Sequence, residues 1–220
     1  MFWLPKNIST TGGGIDSIIL FITVTFGILF IIAEFLLLFF ALRYRKKGDE
    51  RAAYIPGNTF KALLWILIPV TFILGIDIAL DVMQAPVWNA IKVYLPLKPD
   101  RVMGVMARQF SWEFTDAGPD NALDTGDDIK SLGIWRVPVG KEILFRLEAG
   151  DVLHSLWIPN LRLKQDAVPG RKIEGWFEAT ETGVYPIMCA ELCGVGHGLM
   201  KGELHVLSEE DYAKWIKENS

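Results

Sequence analysis

A run from Ile15 to Leu42 that is almost wholly apolar constrains this chain more than any other feature. At about 1.5 Å per residue, a helix of that length exceeds the roughly 30 Å hydrocarbon thickness of a bilayer and can span it with tilt. Lipid offers the backbone no hydrogen-bond partners, so the run is predicted to be a transmembrane helix. A second span is predicted over 60–81, where Pro69 is tolerated if neighbouring helices re-satisfy the freed carbonyl. The connecting segment carries Arg43, Arg45, Lys46, Lys47, Arg51 and Lys61, against a lone Lys6 ahead of the first span. By the positive-inside rule this loop is cytoplasmic, and both termini face outward from the cell membrane. The first run is too long for a cleaved secretory leader and lacks its basic flank. No Cys near the start is available for lipidation and there is no C-x-x-C-H, so neither a lipid anchor nor a covalent haem is expected.

Residues 83–220 read as one outer domain of all-β character, distinct from the helical hairpin of 1–82. Short runs such as RVMGVMARQFSWEF, KEILFRLE, KIEGWFEAT, GVYPIMC and KGELHVL are rich in β-branched and aromatic residues. Gly, Pro and Asp punctuate them, as in a sandwich or Greek-key barrel. The tail EEDYAKWIKENS reads as a short amphipathic helix.

Within this domain, MCAELCGVGHGLM sets out Cys189, Cys193, His197 and Met200 with the spacing C-x3-C-x3-H-x2-M. Two thiolates, an imidazole and a thioether form a soft set that suits copper or zinc and excludes hard, oxygen-seeking cations. A Met partner favours copper that changes redox state, and a second Cys on a short loop allows both sulfurs to bridge two ions. A further His is then expected on a rigid strand. His154 in DVLHSLWIPN is the choice over His205 in GELHVL. Two other readings stay open at this point: a disulfide between the chain's two Cys, and a tetrahedral zinc site.

These residues, the two spans and the segment DVLHSLWIPNLRLKQDAVPGR together resemble subunit II of the haem-copper oxidases. The resemblance implies a cupredoxin-like outer domain with a dinuclear CuA centre. It implies that Cys189 and Cys193 bridge both coppers, that His154 and Met200 complete one, and that His197 and the backbone carbonyl of Glu191 complete the other. The Glu191 side chain would help hold magnesium against the catalytic subunit. Haem belongs to that partner, subunit I, and this chain receives electrons from a c-type cytochrome or similar donor. Asp151, Asp166 and Arg171 are candidates for tuning the potential. Alternative readings are the same module in a nitric oxide reductase, and a membrane-anchored protein for copper delivery or sensing.

Three departures from the family pattern bear on function. Phe110 stands in ARQFSWEF where many relatives place a Trp at the point of electron uptake, with Trp112 nearby. Ala62 replaces a Glu that leads protons into a channel, which makes Glu34 in the first span a candidate for proton uptake. The loop TDAGPDNALDTGDDI gathers Asp120, Asp124 and Asp128 into an oxygen-rich run that could hold calcium, or could be a solvated hairpin tip. The whole chain has a net charge of −4 although the inner loop is basic, so the outer domain is the more acidic part. That favours a basic protein partner and speaks against nucleic acid.

Overall fold

The structure is a computed structural model that describes residues 4–49, 51–54 and 56–219. By contacts the chain divides into two units, one of residues 16–86 and one that joins the described residues up to Ile15 with those from Val87 onward.

The first unit is the helical hairpin. Helix α1 covers Gly12–Arg43 and helix α2 covers Phe60–Trp88, both long and apolar enough to cross a membrane. Apolar residues lie all around each helix, so neither has a polar face to turn to water, and their large side chains are mostly exposed. Pro69 and Pro86 lie inside α2.

The second unit is a sandwich of two five-stranded sheets. The first contains β1 (Arg101–Arg108), β2 (Ser111–Asp116), β3 (Ile129–Leu132), β5 (Glu142–Ala149) and β8 (Ile173–Glu178), in the order β3-β2-β1-β5-β8. The second contains β4 (Ile134–Pro138), β6 (His154–Ile158), β7 (Leu163–Ala167), β9 (Gly183–Cys189) and β10 (Lys201–Leu207), in the order β4-β10-β9-β6-β7. The pairs β1/β5 and β4/β10 are parallel, and the remaining pairs are antiparallel. The long run RVMGVMARQFSWEF is not one strand but a hairpin that turns at Gln109–Phe110.

Alternation builds the core. Ile143, Phe145, Leu147 and Ala149 all point inward along β5. Trp135 of β4 meets them from the opposite sheet, stacked on Phe114 at 5.0 Å and edge-on to Phe177 at 5.2 Å. Gly175 leaves room for Phe145, because a Cβ there would lie 2.5 Å from its ring. Helix α3 (Glu209–Asn219) begins with a cap in which Ser208 Oγ accepts from the Asp211 amide at 3.1 Å and donates to its carboxylate at 2.7 Å. It is anchored by Tyr212, whose hydroxyl donates to Asp116, while Arg101 donates to the other oxygen of the same carboxylate.

The residues ahead of α1 belong to the β unit, unlike the sequence-based division at residue 82. Ile8 is fully buried in the sandwich core. Its amide donates to Asn160 O at 2.9 Å and its carbonyl accepts the Thr180 amide at 2.8 Å. Ser9 bridges Ala179, and Lys6 pairs with Glu181 at 2.5 Å. A buried apolar side chain with both backbone groups satisfied is the physical reason this segment packs there.

Candidate metal centre

Three elements bring the candidate ligands together. Cys189 ends β9, and the following loop carries Cys193, a short helical turn over His197–Leu199, and then Met200 at the start of β10. β6 lies beside β9 with Leu156 opposite Cys189, which sets His154 next to the loop. The pattern of β6 places His154 on the inward side with Leu156 and Ile158, and all three are fully buried.

The Sγ atoms of Cys189 and Cys193 are 3.9 Å apart. Cys189 lies 3.9 Å from His154 Nδ1 and 3.3 Å from the Glu191 carbonyl oxygen, while Cys193 lies 3.6 Å from His197 Nδ1 and 3.8 Å from Met200 Sδ. Ligand atoms of His154, Cys189 and Cys193 all fall within 4.8 Å of one another, and this is the one such group of His, Cys and acidic residues among the described residues. Both Cys are free thiols. The donor set of two sulfurs, two imidazole nitrogens, a thioether and a carbonyl is soft and fits copper.

The surroundings fix this geometry. His154 Nε2 is 2.8 Å from Asp151 Oδ1, so its Nδ1 is left to face the thiols. Asp151 also accepts the amides of Gln109 at 2.7 Å and Val152 at 2.6 Å. Burial would raise the Asp151 pKa, but these donors outweigh it and hold the carboxyl down at about 2. Burial first, and Cys189 second, push the Cys193 thiol up to about 11. Gln109 ties β1 to the loop by donating from Nε2 to the Cys193 carbonyl. Gly194 has a φ of +131°, and a Cβ at Gly196 would sit 2.5 Å from the Phe110 ring. Gln109 was not predicted from sequence, since a lone polar residue beside an aromatic run carries no local mark of its role.

Phe110 is half-buried against the Cys loop, but Trp112 is fully buried, with its ring 6.3 Å from His154, and therefore does not form surface for a donor. Asp166 accepts the Ser155 hydroxyl at 2.7 Å, whereas Arg171 is exposed. His205 lies away from the group and pairs with Glu203 at 2.8 Å. Asp120, Asp124 and Asp128 do not converge as ligands. They serve the loop instead: Asp120 accepts the Ala122 amide, Asp128 accepts the Asp124 amide, and Asp124 lies 3.7 Å from Arg146. Glu34 lies exposed on α1, and Ala62 lies in the first turn of α2.

Residues 122–206 match the sequence profile of the periplasmic domain of cytochrome c oxidase subunit II. Cytochrome c oxidase subunit 2 of Thermostichus vulcanus is 31% identical, and the match covers 87% of this chain and 70% of that protein. The chain belongs to the cytochrome c oxidase subunit II family. The alternative cytochrome c oxidase subunit 2 of Bradyrhizobium diazoefficiens is 30% identical over 99% of this chain and 83% of its own length. A crystal structure of the periplasmic domain of the Bradyrhizobium japonicum subunit II superposes with a TM-score of 0.51 at 28% identity, covering 57% of this chain and 96% of that one. A cupredoxin-like sandwich behind two apolar helices is thus this chain's fold, and a membrane-anchored subunit of an oxidoreductase is its family's form.

Proposed function

We propose that this chain is the electron-accepting subunit of a haem-copper terminal oxidase, holding a dinuclear copper centre. It takes single electrons from a c-type cytochrome or similar donor and passes them to haem in the catalytic subunit, which reduces oxygen. The observation that carries this is the convergence of His154, Cys189 and Cys193 within 4.8 Å. The His197 and Met200 contacts to Cys193 extend the group at its far thiol.

Copper held there would gain and lose one electron at a time. The chain's part is to keep the donors still. His154 and Cys189 lie on adjacent strands of one sheet, Asp151 orients the imidazole, and Gln109 pins the loop, so little needs to rearrange when charge changes. Cys189 and Cys193, with His154, Met200, His197 and the Glu191 carbonyl, would hold the copper and supply a one-electron carrier, and donors that come from the protein alone would leave little room for a substrate. Catalysis therefore belongs to the partner subunit. The Glu191 carboxylate is left to hold magnesium at that junction, and Phe110, over the Cys loop, is the aromatic contact for the donor. Both ends of the helical hairpin continue into the β unit, and the basic loop lies between the helices, which supports an outward-facing metal domain.

The test is spectroscopic, on the full chain in detergent loaded with copper. The expected result is a purple, mixed-valence dinuclear spectrum that Cys189→Ser or Cys193→Ser abolishes. Met200→Leu retains copper with a raised potential, because a weak thioether ligand tunes potential more than affinity. A single labile Cu(I) would overturn the reading in favour of copper delivery.

A further inference from the structure

His154 on β6 and Cys189 on β9 belong to the second sheet, and Cys193 and His197 lie in the loop that joins β9 to β10. Gln109 comes from the other side of the sandwich, directly after β1 of the first sheet. The end of β1 is firmly held, since Arg108 pairs with Ser111 and the Ala107 carbonyl accepts the Gly150 amide at 2.9 Å. From that point Gln109 reaches both sides of the metal centre. Its main-chain amide donates to Asp151 Oδ2 at 2.7 Å, and Asp151 Oδ1 lies 2.8 Å from His154 Nε2. Its side-chain Nε2 donates to the Cys193 carbonyl. The next carbonyl along, that of Gly194, accepts the His197 amide at 3.0 Å. A Cβ on Gly194 would lie 2.8 Å from Gln109 Nε2, so the bare backbone there leaves the space that the amide fills.

We propose that Gln109 is a positioning residue that fixes the spacing of the two ligand groups, holding the His154 side and the Cys193–His197 side to one point of the opposite sheet. The inference rests on the copper reading above. Groups behind the ligands orient them and tune the metal they hold. Two ions share an electron equally only while their surroundings stay nearly equivalent, so a shift of the loop relative to His154 would favour one ion over the other. Gln109 is exposed, and its bond to the loop competes with water, so removing that bond should disturb the centre without dismantling it.

The test is electron paramagnetic resonance of the copper-loaded full chain in detergent. Gln109→Met keeps the length of the side chain and removes its donor, while Gln109→Glu keeps the shape and turns an acceptor toward the carbonyl. In both, the expected hyperfine pattern moves from an electron shared equally by two coppers toward one held by a single copper. A chelator should also strip copper about two- to tenfold faster, the size of one partly exposed hydrogen bond. Asp151→Asn weakens the other arm. Combined with Gln109→Met, its effect on the stripping rate should be non-additive, because both arms end at one residue. A parent-like hyperfine pattern in Gln109→Met, or simple additivity in the double variant, overturns the proposal. Where Gln109→Met fails to load copper, hydrogen exchange in the metal-free chain decides: faster exchange of the loop amides over 194–199 supports the proposal, and exchange at the parent rate overturns it. Absence of a dinuclear spectrum in the parent chain would instead refute the copper reading itself.

Discussion

At the scale of single residues, the thiol of Cys193 sets a measurable condition on metal loading. With its pKa pushed up to about 11 by burial and by Cys189, it is protonated throughout the neutral range. Metal must displace that proton, so apparent affinity should rise by about tenfold per pH unit for each proton released, as long as the pH stays below the thiol pKa. A copper titration between pH 6 and 8 in weak buffer with an indicator dye checks this, and pH-independent uptake would contradict it. In the metal-free protein the same shift favours folding below the ordinary thiol pKa, and that contribution is lost as the pH climbs through about 11. Much of this site was legible in the sequence because Cys189, Cys193, His197 and Met200 lie within one short loop. His154 was harder, since only the pairing of β6 with β9 makes it a neighbour, and its choice over His205 rested on position after a β-rich run. The roles of Asp151 and Gln109 depend on a contact 42 positions apart, to which local pattern is blind.

At the scale of elements, α3 is a helix whose sequence was recognisable but whose anchor was not. Tyr212 reaches Asp116, 96 positions earlier, and the pair is buried. Burial first raises the pKa of each, and Arg101 opposes it in both. Tyr212→Phe removes a buried donor to a carboxylate and should cost about 1.5–3 kcal/mol. Calorimetry should show Tm lowered by roughly 5–9 °C, with the metal spectrum unchanged. In α1, Glu34 is an exposed carboxylate within a span, so in a membrane it must meet a partner subunit or water. If it takes up protons in place of the carboxylate absent at Ala62, Glu34→Gln in the assembled complex should slow turnover while copper reduction stays unchanged. Unaltered turnover would reject that role. The spans themselves were evident from hydropathy because lipid permits so few structures, whereas the hairpin within RVMGVMARQFSWEF was hidden because both of its arms carry strand-like residues.

At the scale of the whole molecule, the segment before α1 completes a core made almost entirely of residues after α2. Ile8→Ala should destabilise the β unit by about 2–4 kcal/mol, since a fully buried side chain leaves a cavity the rigid sandwich cannot close. Thermal unfolding of the full chain monitored by near-ultraviolet dichroism measures it, and an unchanged transition would show that the segment adds nothing. Sequence reasoning grouped these residues with the spans because chain proximity was the only guide available. The contact has a further consequence during synthesis. Ile8 and Thr180 are 172 positions apart. At about 5–20 residues per second, the segment around Ile8, once made, waits roughly 10–35 s for the residues around Thr180 that shelter it. Closure of the sandwich is thus a late event in the life of the nascent protein, and Ile8 spends that interval uncovered, open to proteases and chaperones.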